Sequence, residues 1–190
     1  MNRREALSAV SVLLGGTIIG AEAFLTGCNK PAPVQTSGIL SLDNIAFLDE
    51  VGETIIPTTT SSPGAREAGI GAFMNTIVTD CYNESEQKIF TEGIIKLNDA
   101  SKASYNNKGF VELTPQERYD LLIRIDTEAA RYRETKKAED PEHYYPMMKQ
   151  LTVWGYFSSQ VGAEKALVNV PVPGHYEACV PLKKGQKAWA

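Results

Sequence analysis

The sequence predicts an all-α protein, a single domain of about five or six helices with an extended, proline-rich C-terminal arm. Three observations predict it. Apolar residues return at helical spacing in successive stretches between residues 42 and 167, and alternating β-branched runs are scarce. Prolines fall where helices start or stop, at Pro57, Pro115 and Pro146. Beyond Val168 they come too often for a helix or a central strand, with Pro171, Pro173 and Pro181 close together.

The chain opens on an export address. Residues 1–27 combine a basic head (Arg3, Arg4), an apolar middle from Ala6 to Phe24 and a small-residue exit. The adjacent arginines resemble a twin-arginine signal, which is read by the translocon that carries folded proteins. Asn2 and Ala6 depart from the residues usual around that pair. Leu25-Thr26-Gly27-Cys28 resembles the lipobox of bacterial lipoproteins, so Cys28 is the expected lipidation site and the mature protein is expected on the periplasmic face of the envelope. The other reading is an uncleaved membrane anchor, for which Gly15, Gly16, Gly20, Ser8, Ser11, Thr17 and Glu22 make a poor span.

Residues 28–40, with Pro31, Pro33, Gln35, Thr36 and Ser37, read as a polar tether, and residues 41–190 as the folded domain. Ser41 is an N-cap for a first helix with Ile45, Leu48, Gly52 and Ile55 on one face, stopped by Pro57. A loop rich in Thr and Ser follows, with a helical turn at Ala65 to Ala68. Ile70, Phe73, Ile77, Val78 and Cys81 predict a second helix with Cys81 on its buried face, and Ile89, Phe90, Ile94, Leu97 and Ala100 a third from about Ser85 to Ser104. After a break at Gly109 to Leu113, Thr114-Pro115-Gln116-Glu117 forms a capping box with proline at the first helical position. The fourth helix turns Leu121, Leu122, Ile125, Ala129 and Tyr132 inward, and its charged face, Arg118 included, reads as solvated. Pro146 opens a fifth helix with Met147, Leu151 and Trp154 on its inner face, and a short sixth runs from about Gln160 to Leu167.

The chemical inventory is sparse. A net charge of -4 without basic clusters excludes a nucleic-acid binder, whose affinity rests on neutralising phosphates. Gly-x-Gly-x-x-Gly after a strand, Gly-x-Ser-x-Gly and a phosphate loop are all missing. His143 and His175 are the only histidines, too few for a closed zinc site with these cysteines, and Cys-x-x-Cys-His is absent. No catalytic, cofactor-binding or metal residue is therefore assigned. Cys81 and Cys179 are left as a candidate disulfide, worth about 4–5 kcal/mol through its long loop, or as two inert buried thiols. The segment Met147 to Phe157 and the arm are rich in aromatics, methionine and proline, which suits a protein interface. The candidate contact residues are Trp154, Tyr156, Phe157, Pro171, Pro173, Tyr176 and Pro181. The competing reading is an arm packed on Trp154 and Phe157 of its own domain.

Four pieces carry a resemblance. They are Leu48-Asp49-Glu50-Val51-Gly52-Glu53-Thr54-Ile55-Ile56-Pro57, then Pro63-Gly64-Ala65 with Gly69-Ile70-Gly71-Ala72-Phe73, then Leu151-Thr152-Val153-Trp154-Gly155-Tyr156-Phe157-Ser158-Ser159, then Val170-Pro171-Val172-Pro173-Gly174-His175-Tyr176 with Cys179. In this order they resemble the gluconate 2-dehydrogenase subunit 3 family. The resemblance implies a small, non-catalytic accessory subunit of a periplasmic sugar or sugar-acid dehydrogenase. It implies a large partner of the glucose-methanol-choline type that holds FAD and passes electrons to a cytochrome c or other acceptor, with no cofactor in this chain. It also gives the export signal a purpose, since a flavoprotein that loads FAD in the cytoplasm travels folded. The lipobox departs from the family pattern and implies that this subunit also holds the complex to a membrane. The alternative is a stand-alone envelope lipoprotein that binds a ligand or scaffolds an assembly.

Overall fold

A computed structural model describes residues 38–172, 174, 175 and 179–189. Arg3, Arg4, Cys28, Pro173 and Tyr176 lie outside them. The described residues form five α-helices: α1 Leu42–Ile55, α2 Ile70–Cys81, α3 Glu84–Ser104, α4 Pro115–Thr135 and α5 Tyr144–Ser158. A 3-10 turn, Phe110–Glu112, precedes α4, and a π-helical turn, Val161–Ala166, follows α5. Among the described residues the only extended pairing is one isolated parallel bridge, Val168 to Trp189.

Local chemistry sets most of the helix ends. Ser41 Oγ accepts the Asn44 amide at 3.2 Å to start α1, and Ile56, held out of the α region by Pro57, ends it. Thr114 and Glu117 make the reciprocal capping box of α4. A second box, Asn83 with Glu86, starts α3, and Gln87 of the same turn donates to the carbonyls of Val78, Thr79 and Tyr82, which α2 leaves unpaired at its C-terminal end.

The folded body takes in residues that the sequence assigns to the tether. Leu40 is buried and its amide donates to Asn75 Oδ1 at 3.1 Å, while the Ile39 amide donates to Thr79 Oγ1 at 3.1 Å. From there α1 lies directly on α2 because Gly71 has no side chain: a Cβ there would stand 2.2 Å from the Ile45 carbonyl oxygen. The Gly71 amide donates to Asp49 Oδ1 at 2.7 Å across this contact. Burial pushes the Asp49 carboxyl up from its ordinary value in spite of that bond and of nearby Arg66.

α5 is the hub. It touches each of the other four helices and buries Tyr144, Tyr145, Met148, Leu151, Thr152, Gly155 and Tyr156. The core around it takes Leu48 and Val51 from α1, Ile70, Met74 and Val78 from α2, Phe90, Ile94 and Leu97 from α3, and Leu121, Leu122 and Ile125 from α4. Phe110 of the 3-10 turn, fully buried, closes the side against Phe47 at 5.4 Å between ring centroids.

The loop between α1 and α2 is folded around Glu53. Its carboxylate accepts the amides of Thr58 at 2.8 Å and Arg66 at 3.1 Å. Partial burial pushes the Glu53 pKa up, but bonds from Thr58 and Arg66 outweigh it and hold the pKa below the ordinary carboxylate value. A pKa lowered by folding stabilises fully above the unfolded value, and that stability is lost as pH falls through the folded one. Glu53→Gln should therefore cost on the order of 0.5–1 kcal/mol at neutral pH, after allowance for solvent screening, and almost nothing in acid. Denaturant unfolding of both proteins at the two pH values checks this.

Three expectations are corrected. Cys81 ends α2 on the surface, and both it and Cys179 are free, exposed thiols, so neither the inward Cys81 nor a bridge is seen. Arg118 is not on a solvated face: its guanidinium pairs with Glu50, and its side chain is 16% exposed. The described part of the arm leaves Val172, Val180 and Leu182 well exposed instead of packing them over the helices. The short sixth helix expected from about Gln160 to Leu167 is present, as the π-helical turn Val161–Ala166.

Candidate partner interface

Polar and small residues decide which way α5 faces. Thr152 is fully buried because its hydroxyl donates to the Met148 carbonyl at 2.8 Å, and so needs no water. Gly155 is buried because Phe73 presses on it; a Cβ would meet Phe73 Cδ1 at 2.5 Å. These two turn the helix so that Tyr156 enters the core and Trp154 leaves it. The sequence expectation had them reversed. Tyr156 is 1% exposed and donates its hydroxyl to the Pro63 carbonyl at 2.6 Å, so it is a core residue and not a contact for a partner.

Trp154, 53% exposed, and Phe157, 43% exposed, are three residues apart and share the outer side of α5 with Val153. Each is seated on an inner aromatic. Trp154 meets Phe73 edge to face at 5.4 Å, and Phe157 meets Tyr156 at 5.1 Å. Both rings are thus held in place while one surface stays in water. Trp154 and Val153 also form one end of a groove of about 640 Å³ between α4 and α5, with Ala129, Ala130 and Pro146 in its wall. Its rim is mixed in charge, and Lys149 reaches Asp126 across it at 2.7 Å. Pro171 and Pro181 are exposed in the arm.

His143 stands at the far end of that groove, between it and a second one of about 550 Å³. Its role is local. Nδ1 accepts the Tyr145 amide at 3.2 Å, capping α5, and the ring stacks on Tyr144 at 4.5 Å. Burial lowers its pKa, which keeps the ring neutral and Nδ1 free to accept that bond. Burial, then the charge of Glu128, pushes the neighbouring Tyr144 up to about 12, so it stays a neutral phenol. Among the described residues no three His, Cys, Asp or Glu side chains gather as a metal site would, and no helix is long and apolar enough to cross a membrane.

A helical body whose outward feature is an aromatic strip beside a groove has the character of a subunit that docks. The chain belongs to the gluconate 2-dehydrogenase subunit 3 family, whose model matches residues 43–174. It is thereby a protein of the kind that serves as an accessory subunit in a dehydrogenase complex. No curated protein and no solved structure matches it. The match spans α1 to α5 and the start of the arm, so the strip and the groove both lie inside it.

Proposed function

We propose that this chain is the non-catalytic accessory subunit of a flavin-dependent dehydrogenase of the glucose-methanol-choline type that acts on a sugar or a sugar derivative. The large subunit holds FAD and performs the oxidation, and it hands electrons to a cytochrome c or another acceptor. This chain docks on it through Trp154, Phe157 and the arm around Pro171 and Pro181. It carries the folded, FAD-loaded partner through the twin-arginine route by Arg3 and Arg4. It then holds the complex at the periplasmic face through lipid on Cys28.

The exposed Trp154–Phe157 strip carries this reading. Two large aromatics half in water on the most buried helix of a domain are poorly explained by the domain's own stability. They fit the centre of a protein interface, where Trp, Tyr and Phe are enriched and supply most of the binding energy.

Co-expression with a large flavoprotein of the glucose-methanol-choline type tests it. The tagged chain should bring down a subunit with flavin absorbance, and Trp154→Ser with Phe157→Ser should weaken that capture by about a hundredfold or more while leaving the helical content intact. Replacing Arg3 and Arg4 with Lys should leave both proteins in the cytoplasm. A chain that comes out of detergent extracts alone, with no flavin in any fraction, would favour the stand-alone lipoprotein instead.

A further inference from the structure

The segment Leu182–Trp189 is chemically unlike the body. It holds Lys183, Lys184 and Lys187 between Leu182 and Trp189, and no acidic residue occurs from residue 178 onward, whereas acidic residues outnumber basic ones from 38 to 167. It is also a shaped element. Gly185, at φ 79°, turns the chain; the Gln186 amide donates to the Lys183 carbonyl at 3.0 Å, and the Lys183 amide to Gln186 Oε1 at 3.3 Å. Its base is clasped to the body by the Val168 amide on the Ala188 carbonyl at 2.9 Å and by Lys187 Nζ on the Lys165 carbonyl.

Within this clasp Leu182 is 88% and Trp189 65% exposed. None of the three lysines meets a carboxylate among the described residues. The element thus presents apolar side chains together with Lys183 and Lys184, two cations that no described carboxylate pairs, while Lys187 serves the clasp. A protein partner fits this poorly, because lysine is depleted at protein interfaces. An anionic lipid surface fits it well: lysine stems lie along the acyl boundary with their ammonium groups among the phosphates, and tryptophan sits at headgroup level.

We propose that Leu182–Trp189 is a membrane-surface contact that rests on anionic phospholipid, with Lys183 and Lys184 facing the headgroups, Leu182 and Trp189 entering the interface, and Lys187 holding the element to the body. It does not rest on the dehydrogenase partner or on lipid at Cys28. It adds a second hold that would set the domain's orientation at the surface, since one anchor alone leaves a tethered body free to turn.

The test uses the full chain carrying Cys28→Ser, which removes the lipid attachment, and Trp154→Phe, which leaves Trp189 as the only tryptophan. Vesicles of phosphatidylcholine containing phosphatidylglycerol should shift Trp189 emission to the blue, and vesicles of phosphatidylcholine alone should not. Changing Lys183 and Lys184 to Gln should lower affinity for the anionic vesicles by about thirtyfold, and high salt should do the same to the unsubstituted tail. Leu182→Ser should weaken binding without changing its salt dependence. These side chains are exposed, so the variants should keep the parental circular dichroism. The proposal is overturned if Trp189 emission ignores anionic vesicles, if the Gln variant binds them equally well, or if the emission shifts only when the large flavoprotein is added.

Discussion

Tyr156→Ala will cost the domain a large share of its stability. Tyr156 is the largest of the fully buried side chains, and it projects from the helix that all the others touch. Removing an aromatic ring from such a place costs about 3–5 kcal/mol in lost burial and residual cavity. A domain of this size has about 5–15 kcal/mol to lose, so the melting temperature should drop by on the order of 10 °C. The hydroxyl accounts for only a small part. Tyr156→Phe keeps the ring and strips one donor from the Pro63 carbonyl, which should cost about 1 kcal/mol. Trp154→Ala, two residues along, should move stability by less than about 1 kcal/mol, because about half of that ring is already in water. Thermal unfolding followed by circular dichroism separates the three. A Tyr156→Ala protein that melts with the parent would return Tyr156 to the surface and undo the account of α5.

That helix shows where sequence stops being legible. The existence of α1 to α5 could be read because its signals are local: an N-cap at Ser41, a stop at Pro57, the box at Thr114, apolar residues at helical spacing. The box at Asn83 carries the same signal, Asn with Glu three residues on, and could have been found the same way. The facing of α5 could not. Spacing alone lets either Trp154 or Tyr156 be the inward aromatic, and the choice falls to Thr152, which satisfies its own hydroxyl, and to Gly155, which is flat enough for Phe73. Cys81 fails for another reason. It continues the apolar period of α2 but is the last residue of that helix, where the core has already ended. The candidate interface was legible as a composition of aromatics, but which of them face water depended on those two small residues.

Arg118 is misread for a third reason, because its partner is far away in the chain, and its removal is the second large effect. Its guanidinium pairs with Glu50 of α1, which also pairs with Arg66 of the loop before α2. The same guanidinium donates to the carbonyls of Phe110 at 3.2 Å and Val111 at 2.6 Å, and lies 5.8 Å from the centre of the Phe110 ring. One side chain thus holds α1, the 3-10 turn and the start of α4 together. Removing one partner of a buried ion pair costs about 3–5 kcal/mol, mostly by leaving the other charge unpaired. Here both side chains keep some solvent and Glu50 keeps Arg66, so Arg118→Ala should cost about 2–3 kcal/mol. Arg118→Lys should recover little of it, because an ammonium cannot serve a carboxylate and two carbonyls in the geometry that a planar fork allows. Glu50→Gln with Arg118→Met should be less damaging than Arg118→Ala alone, since it removes both charges and keeps apolar volume beside Phe110. Denaturant midpoints of the single and double variants decide the matter, and equal midpoints for Arg118→Ala and the parent would mean that the surface reading of this arginine was right.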